Sequence, residues 1–455
     1  MMGPLILFAF TGCLLWLFYR DGKERASVSP AAWIVVVWAV IYGSRPVMDW
    51  FSGEAVRGPI PTSSADEGNL TEALISLALI IAGVVVLLRR GVRLSVVIRD
   101  NVWLFVFYLF WLMSLFWSDY PFITFKRLFK DLGNVVMVLV VLTEMDSGEA
   151  IKAVCSRVAY LLIPLSVLLI RYYPDLGRFY SGYDLSTVMW VGVTTHKNTL
   201  GALALVGALF LLWDILDRQG KNWGATKKGT FIARILVLFM SWYLLVIANS
   251  MTSLLCALLG SALLIAFCTP SIRQRPGRLE ACGIGAGVIF LALDSLFNVK
   301  EDLLLSVGRD ETLTTRTDIW PILMSFQDNP LVGAGFNTFW AGQRLLLLFE
   351  KVGGIIQAHN GYLETYLNGG LVGVGLLLVL LLSAYMRIRK QLVIGTPEGS
   401  IRFVVLLLAI IYNNSEASFN KVGLLWLLTL FAIMQYRAQP PVRQAVPFAM
   451  RKPIS

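Results

Sequence analysis

Ala31-Ala-Trp-Ile-Val-Val-Val-Trp-Ala-Val-Ile-Tyr42 contains no charged residue, no glycine and no proline. A helix that is apolar on every side must sit inside a large core or in a bilayer. The run has companions along the whole chain: Leu74–Leu88, Ile232–Ala248, Leu254–Phe267, Leu371–Ala384 and Phe403–Tyr412. Of the 455 residues 57% are hydrophobic and 15% charged, with a mean hydropathy of +0.69. Soluble domains hold about 25% charged residues, so composition excludes an ordinary soluble enzyme. The expected fold is an all-α polytopic membrane protein.

A bilayer core of about 30 Å needs about 20 apolar residues per helix. Hydropathy gives 12–13 transmembrane helices, near 3–19, 31–48, 70–88, 102–118, 132–143, 151–170, 194–214, 232–248, 251–268, 281–297, 367–386, 402–413 and 422–436. Residues 1–436 read as a single transmembrane domain with a large outer loop at about 298–360. Residues 437–455 read as a basic inner tail. Arg20, Lys23 and Arg25 follow the first span, the wrong order for a cleaved signal peptide. With an outward N-terminus, inner loops collect Arg89-Arg90, Arg93, Arg99, Arg218, Lys221, Lys227-Lys228, Arg273, Arg275, Arg278, Arg387 and Arg389-Lys390. About 25 basic residues then lie inside and about 14 outside, as the positive-inside rule requires. The net charge of +10 is thus a topology signal spread over many loops. It does not form the single basic face of a nucleic-acid binder.

No nucleotide-binding glycine loop appears, and the five cysteines form no CxxC or Cys/His cluster. The expected metal and cofactor sets are both empty. Asp294 lies near an outer helix end, and the span centres read as almost free of charge. That argues against a carrier with a polar pathway through the bilayer, the rival reading as a flippase or transporter of lipid-linked sugars.

The long outer loop predicts two short helices. Thr317-Asp318 would cap Ile319–Phe326, with Pro321 in its first turn. Asn337–Phe349 would lie at the membrane surface through Phe339, Trp340 and Leu345–Leu348. The only two histidines, His196 and His359, both fall on the outer side, each where a helix begins. A helix N-terminus favours an anion and keeps a nearby imidazole neutral. The same positions also suit imidazoles that merely cap or solvate helix ends. A third outer helix start, at Asn249-Ser250-Met-Thr252, adds hydroxyl donors. Arg309 and Arg316 offer bidentate clamps for phosphate or remain solvated loop charges. Lys126-Arg127 and Lys130 read as a snorkelling cluster in the loop after the fourth span. Phe179, Tyr180, Tyr183, Trp190, Trp340, Tyr362 and Tyr366 could stack on sugars, or form an interfacial aromatic belt.

Five motifs then occur in order. They are Thr195-His-Lys-Asn-Thr-Leu-Gly201, Ser250-Met-Thr-Ser253, Gly308-Arg-Asp through Arg316-Thr-Asp-Ile-Trp320, Asn329-Pro-Leu-Val-Gly-Ala-Gly335 and His359-Asn-Gly-Tyr-Leu-Glu364. Together with Gly370-Leu-Val-Gly373 and Asn414-Ser-Glu416, they resemble the O-antigen ligase superfamily, most closely its exopolysaccharide polymerase branch. The resemblance covers about residues 100–430. It implies a GT-C-like glycosyltransferase of the bacterial inner membrane; in that membrane the loop charges put the N-terminus in the periplasm and the C-terminus in the cytoplasm. Such an enzyme takes an oligosaccharide from an undecaprenyl diphosphate donor on the periplasmic face and passes it to a glycan acceptor without a metal. A chain-length regulator and a flippase are the protein partners it implies. The alternative within the class is a ligase joining glycan to lipid A core or another acceptor.

Carried over by position, His359 matches the ligase histidine and Arg316 the arginine of the large loop. A second ligase arginine falls at His196, a departure that leaves Lys197 to supply the charge. The expected catalytic residues are His359, Arg316 and Glu364. The expected diphosphate and glycan contacts are His196, Lys197, Asn198, Arg309, Ser250, Thr252, Asn360, Tyr362 and Glu416.

Overall fold

The computed structural model describes residues 2–51, 70–181, 187–219, 228–283, 285, 312–352 and 356–437. It is an all-α membrane bundle; the one two-stranded ribbon among the described residues pairs β1 (Arg178–Ser181) antiparallel with β2 (Thr187–Trp190). The helices are α1 (Met2–Glu24), α2 (Ala32–Gly43), α3 (Leu70–Arg89), α4 (Leu94–Asp100), α5 (Val102–Met113), α6 (Pro121–Leu142), α7 (Ser147–Tyr172) and α8 (Lys197–Gln219). They continue as α9 (Lys228–Ile247), α10 (Met251–Phe267), α11 (Thr312–Ser325), α12 (Gly342–Lys351), α13 (Gly361–Ile394), α14 (Gly399–Tyr412) and α15 (Leu424–Ile433). Six are long and apolar enough to cross a bilayer, and α4 and α5 form a seventh candidate bent by 102°. The shorter apolar helices α2, α10, α14 and α15 complete the bundle. Every span read from hydropathy has its helix except 281–297, most of which lies outside the described residues.

The central helices α7 and α8 are largely buried, whereas α1 and α3 keep large apolar side chains such as Phe8, Leu15, Leu77 and Ile81 exposed, as lipid-facing helices do. The core is tied by Trp38, Trp111, Trp426, Tyr160, Phe107 and Phe210. Close approach of α8 and α10 depends on Gly201, where a Cβ would lie 2.7 Å from the Ser253 hydroxyl.

Several expectations change. The span near 132–143 is the second half of α6, and Lys126, Arg127 and Lys130 lie on this helix instead of in a loop. Charges broke the hydropathy window, but each has a partner in the fold. Lys130 rests over the Tyr42 ring at 4.8 Å, Lys126 over Phe122 at 5.0 Å, and Arg127 donates to the Asn337 carbonyl. Nor are the spans empty of charge. Asp131, fully buried in mid-α6, accepts from Tyr108 (2.7 Å), Asn134 (3.0 Å) and Trp426 (3.3 Å). At the opposite end of the bundle from both histidines, buried Arg25 pairs with Asp21 (2.9 Å), Glu149 (3.3 Å) and Asp214 (2.7 Å). Most of these partners come from other helices, so the contacts are invisible to a sliding window; each buried group is tolerable only because it is paired or hydrogen-bonded.

The loop helices shift as well. α11 begins at Thr312, which puts Pro321 inside the helix instead of in its first turn. α12 begins only at Gly342, because Ala341 is extended and Gly342 takes φ +56°. The aromatic pair Phe339 and Trp340 therefore precedes the helix.

Candidate active site

Two glycine motifs explain how the site is held. α13 is broken at Gly370, whose φ of +60° and ψ of −162° leave the helical region. The Asn329–Gly335 segment docks on this break through main-chain bonds. Leu371 and Val372 donate to the carbonyls of Pro330 (2.8 Å) and Leu331 (3.0 Å); Ala334 and Gly335 donate to those of Leu367 (3.2 Å) and Asn368 (2.8 Å). A Cβ on Gly370 would lie 2.3 Å from the Leu331 carbonyl, and one on Gly333 would lie 2.3 Å from that of Asn368. Only glycine permits this mutual approach. The break sets off a short segment, Gly361–Gly369, from the spanning part of the helix.

Asn360 caps that segment: its side-chain oxygen accepts from the amides of Tyr362 and Leu363, both at 3.0 Å. The Gly361 amide donates to the carbonyls of Asn413 (2.8 Å) and Glu416 (3.0 Å), which locks the helix start onto the α14–α15 loop. Asn413 shapes that loop by accepting from the amides of Ser418 (2.8 Å) and Phe419 (3.1 Å). Between these fixed points His359 adopts φ +52°, a conformation uncommon outside glycine but more accessible to histidine than to most residues. Surrounding contacts must hold it there. On its N-terminal side Glu364 does so, accepting from the Ala358 amide at 2.8 Å and from the Trp340 indole at 2.9 Å.

The chemistry gathers around Glu416. This carboxylate is buried (6% exposed). One oxygen lies 3.4 Å from His359 Nδ1, and the other accepts from the Asn198 amide at 2.6 Å. One side chain therefore joins the two histidine-bearing helix starts, far apart in sequence. His196 and Asn198 open α8, where His196 Nδ1 accepts from the Asn198 backbone amide at 3.2 Å. They line, with Glu416, a cavity of about 280 Å³, near the size of the smaller ligand pockets. Gln357, Ser418 and Lys421 complete its polar wall, and Leu203, Leu425 and Trp426 its apolar floor.

Lys421 and Gln357 were not singled out from sequence. Lys421 Nζ reaches Gln357 at 3.3 Å and lies 3.8 Å from Glu364, while the Gln357 amide meets both ring nitrogens of His359, at 3.3 and 3.4 Å. The only signal for Lys421 was its place among the outer basic residues.

The other expected residues take varied places. Thr252 meets Ser415 at 2.7 Å, so the third helix start adjoins the same loop; Ser250 pairs with Ser253 at 3.0 Å. Tyr362 packs edge-on against Phe419 and donates to the Ile410 carbonyl at 3.0 Å, a structural anchor. Glu364 holds the backbone before His359 and Glu416 faces the ring. Arg316 lies on α11, one turn before Trp320, whose indole donates to the Ala358 carbonyl at 3.0 Å next to His359. Arg309 and Tyr183 lie outside the described residues.

A profile of the O-antigen ligase family matches residues 235–393. This stretch runs from α9 to the end of the helix that His359 precedes. The exopolysaccharide production protein ExoQ of Rhizobium meliloti (strain 1021) is 27% identical over 322 residues, covering 67% of this chain and 69% of that protein. The chain is therefore a multi-pass membrane protein whose residues 235–393 match the O-antigen ligase family and which is similar over two thirds of its length to an exopolysaccharide production protein.

Proposed function

We propose that this protein is a metal-independent glycosyltransferase of the bacterial inner membrane that polymerises oligosaccharide units from an undecaprenyl diphosphate donor. The carriage of both His359 and Asn198 on one buried carboxylate, Glu416, which with Asn198 lines the cavity, carries the reading. The site end faces the periplasm, with the C-terminus cytoplasmic. The charge bias of the loops and the family relationship support that orientation.

In this mechanism the acceptor hydroxyl attacks the anomeric carbon of the donor sugar. The bond from that carbon to the diphosphate oxygen breaks, and the diphosphate leaves with the electron pair. His359 takes the hydroxyl proton. Glu416 accepts a hydrogen bond from the Nδ1–H of His359, so Nε2 is the basic nitrogen, and Asn198 holds the carboxylate in place. Lys421, Lys197 and Arg316 stabilise charge growing on the leaving diphosphate. The start of α8 adds the positive end of its helix dipole. The apolar floor at Leu203, Leu425 and Trp426 suits the first isoprene units of the lipid. Glu364 and Asn360 act one step back, as supports of the His359 turn. A chain-length regulator and a flippase are proposed protein partners, on the family relationship alone.

A ligase acceptor is the second reading, favoured by the match to the O-antigen ligase family. Product sizing separates the two. Purified protein in detergent, given lipid-diphosphate oligosaccharide alone, yields a ladder of longer glycans if it polymerises. His359→Ala and Arg316→Ala should each leave the donor unconsumed. Full turnover by both variants would refute the residue roles, and consumption of donor only when lipid A core is added would favour the ligase.

A further inference from the structure

At the end of the bundle opposite the site, a cavity of about 450 Å³ opens between α4, α5, α13 and the chain after α15. Arg99, Arg387 and Arg437 line it, with Asp100 as its carboxylate. We infer that this cavity binds the phosphate headgroup of an anionic phospholipid in the leaflet opposite the active site.

Depth comes first. α4 and α5 meet at 102°. α5 runs through the bundle, so α4 lies across it, in the plane of a membrane surface. Asn101 fixes the corner: its amide donates to the carbonyls of Val97 (2.9 Å) and Gln435 (2.7 Å), and its oxygen accepts from the Gln435 amide at 2.9 Å. The cavity at this corner therefore sits at headgroup level. Its rim on the lipid side is Trp103 (45% exposed) and Met386 (51% exposed), where acyl chains would descend. Exposed tryptophan at this level is the ordinary interfacial anchor.

Charge comes second. Asp100 is already engaged, 3.2 Å from Arg99 and accepting from the Arg437 amide at 3.0 Å. The cavity keeps a net charge of +2, from three guanidiniums and one carboxylate. Arg387 donates to the carbonyls of Asp100 (2.8 Å) and Ile433 (3.1 Å), which fixes it as a wall, while its buried Nε has no hydrogen-bond partner among the described residues. Basic pockets between transmembrane helices, open to the acyl region, are suited to anionic headgroups.

The test measures lipid retained by the full-length protein, using native mass spectrometry after exchange into detergent with phosphatidylglycerol or phosphatidylcholine. The wild type should keep phosphatidylglycerol in preference. R99Q/R437Q should weaken that binding roughly 25-fold, at about fivefold per cation near a membrane surface. The pair spares Arg387, whose loss would free two backbone carbonyls. R89Q/R93Q removes the same charge from exposed residues outside the cavity and should retain wild-type binding. Equal retention of the two lipids by the wild type would overturn the assignment. So would equal losses in the two variant pairs, which would mean general surface charge. Saturable binding of inorganic phosphate as tight as that of phosphatidylglycerol would also overturn it, because the site would then read a soluble anion.

Discussion

Replacing Glu416 by Gln is the sharpest probe of the proposed mechanism. The amide fills the same volume and can still accept from Asn198, so the fold should survive. It cannot balance charge on His359, and its NH2 group can turn a donor toward Nδ1, favouring the tautomer that puts the proton on Nε2. The lost interaction is one charge-assisted hydrogen bond, which contributes about 1.5–3 kcal/mol. The observed 3.4 Å separation in the resting site need only shorten as the imidazolium forms. At about 1.36 kcal/mol per decade of rate, turnover should fall about 10- to 150-fold. The assay is initial-rate consumption of lipid-diphosphate donor in detergent, with a thermal melt to show that stability is unchanged. A second background makes it decisive. If Glu416 acts through His359, then adding E416Q to H359A should cost less than about twofold, because residues that work as a unit are not additive. A full-sized loss in the H359A background, or wild-type turnover by E416Q alone, would refute the reasoning.

Lys421→Gln should lower kcat/KM for the donor about 10-fold or more and weaken inhibition by inorganic diphosphate; unchanged inhibition would remove Lys421 from the anion site. Gly370→Ala puts a Cβ 2.3 Å from the Leu331 carbonyl at φ +60° and should cost more than about 3 kcal/mol, read as loss of the folded peak in size-exclusion chromatography. Gly375→Ala, in the same helix with open space around its Cα, should be neutral or raise the melting temperature slightly. At the opposite end, burial pushes the Glu144 carboxyl up, but hydrogen bonds from the Ser29 hydroxyl and amide and from Arg90 outweigh it and hold the pKa below the ordinary glutamate value. A carboxyl lowered in the fold stabilises above its unfolded pKa of about 4.3 and loses that contribution as pH falls through the folded value. Melting temperatures of wild type and E144Q should therefore differ at pH 7 and converge in acid; a constant difference would contradict the pairing.

How much of this was legible in the chain differs from residue to residue. The apolar runs specified the membrane class, because each helix must satisfy its own backbone in lipid and so announces itself by composition. Gly333 and Gly370 stood out only as motif letters. That they exist to let two backbones touch became clear when the loop was seen against the broken helix. Lys126 and Lys130 read as loop residues because hydropathy averages along the chain and cannot see that Phe122 shelters the first ammonium group and Tyr42, from another helix, the second. Asp131 was missed for the same reason.

The sequence alone determined that the chain crosses a membrane repeatedly, that its two histidines begin helices on one side, and which family wording it carries. The tertiary structure decided who meets whom. It gave His359 its carboxylate from Glu416, 57 residues away, turned Glu364 and Asn360 into supports, and brought Lys421 to the cavity wall. Helices are local objects, fixed by hydrogen bonds four residues apart, so their marks lie in the string itself. A site built from several helix ends depends on distances across the bundle, and packing alone sets those.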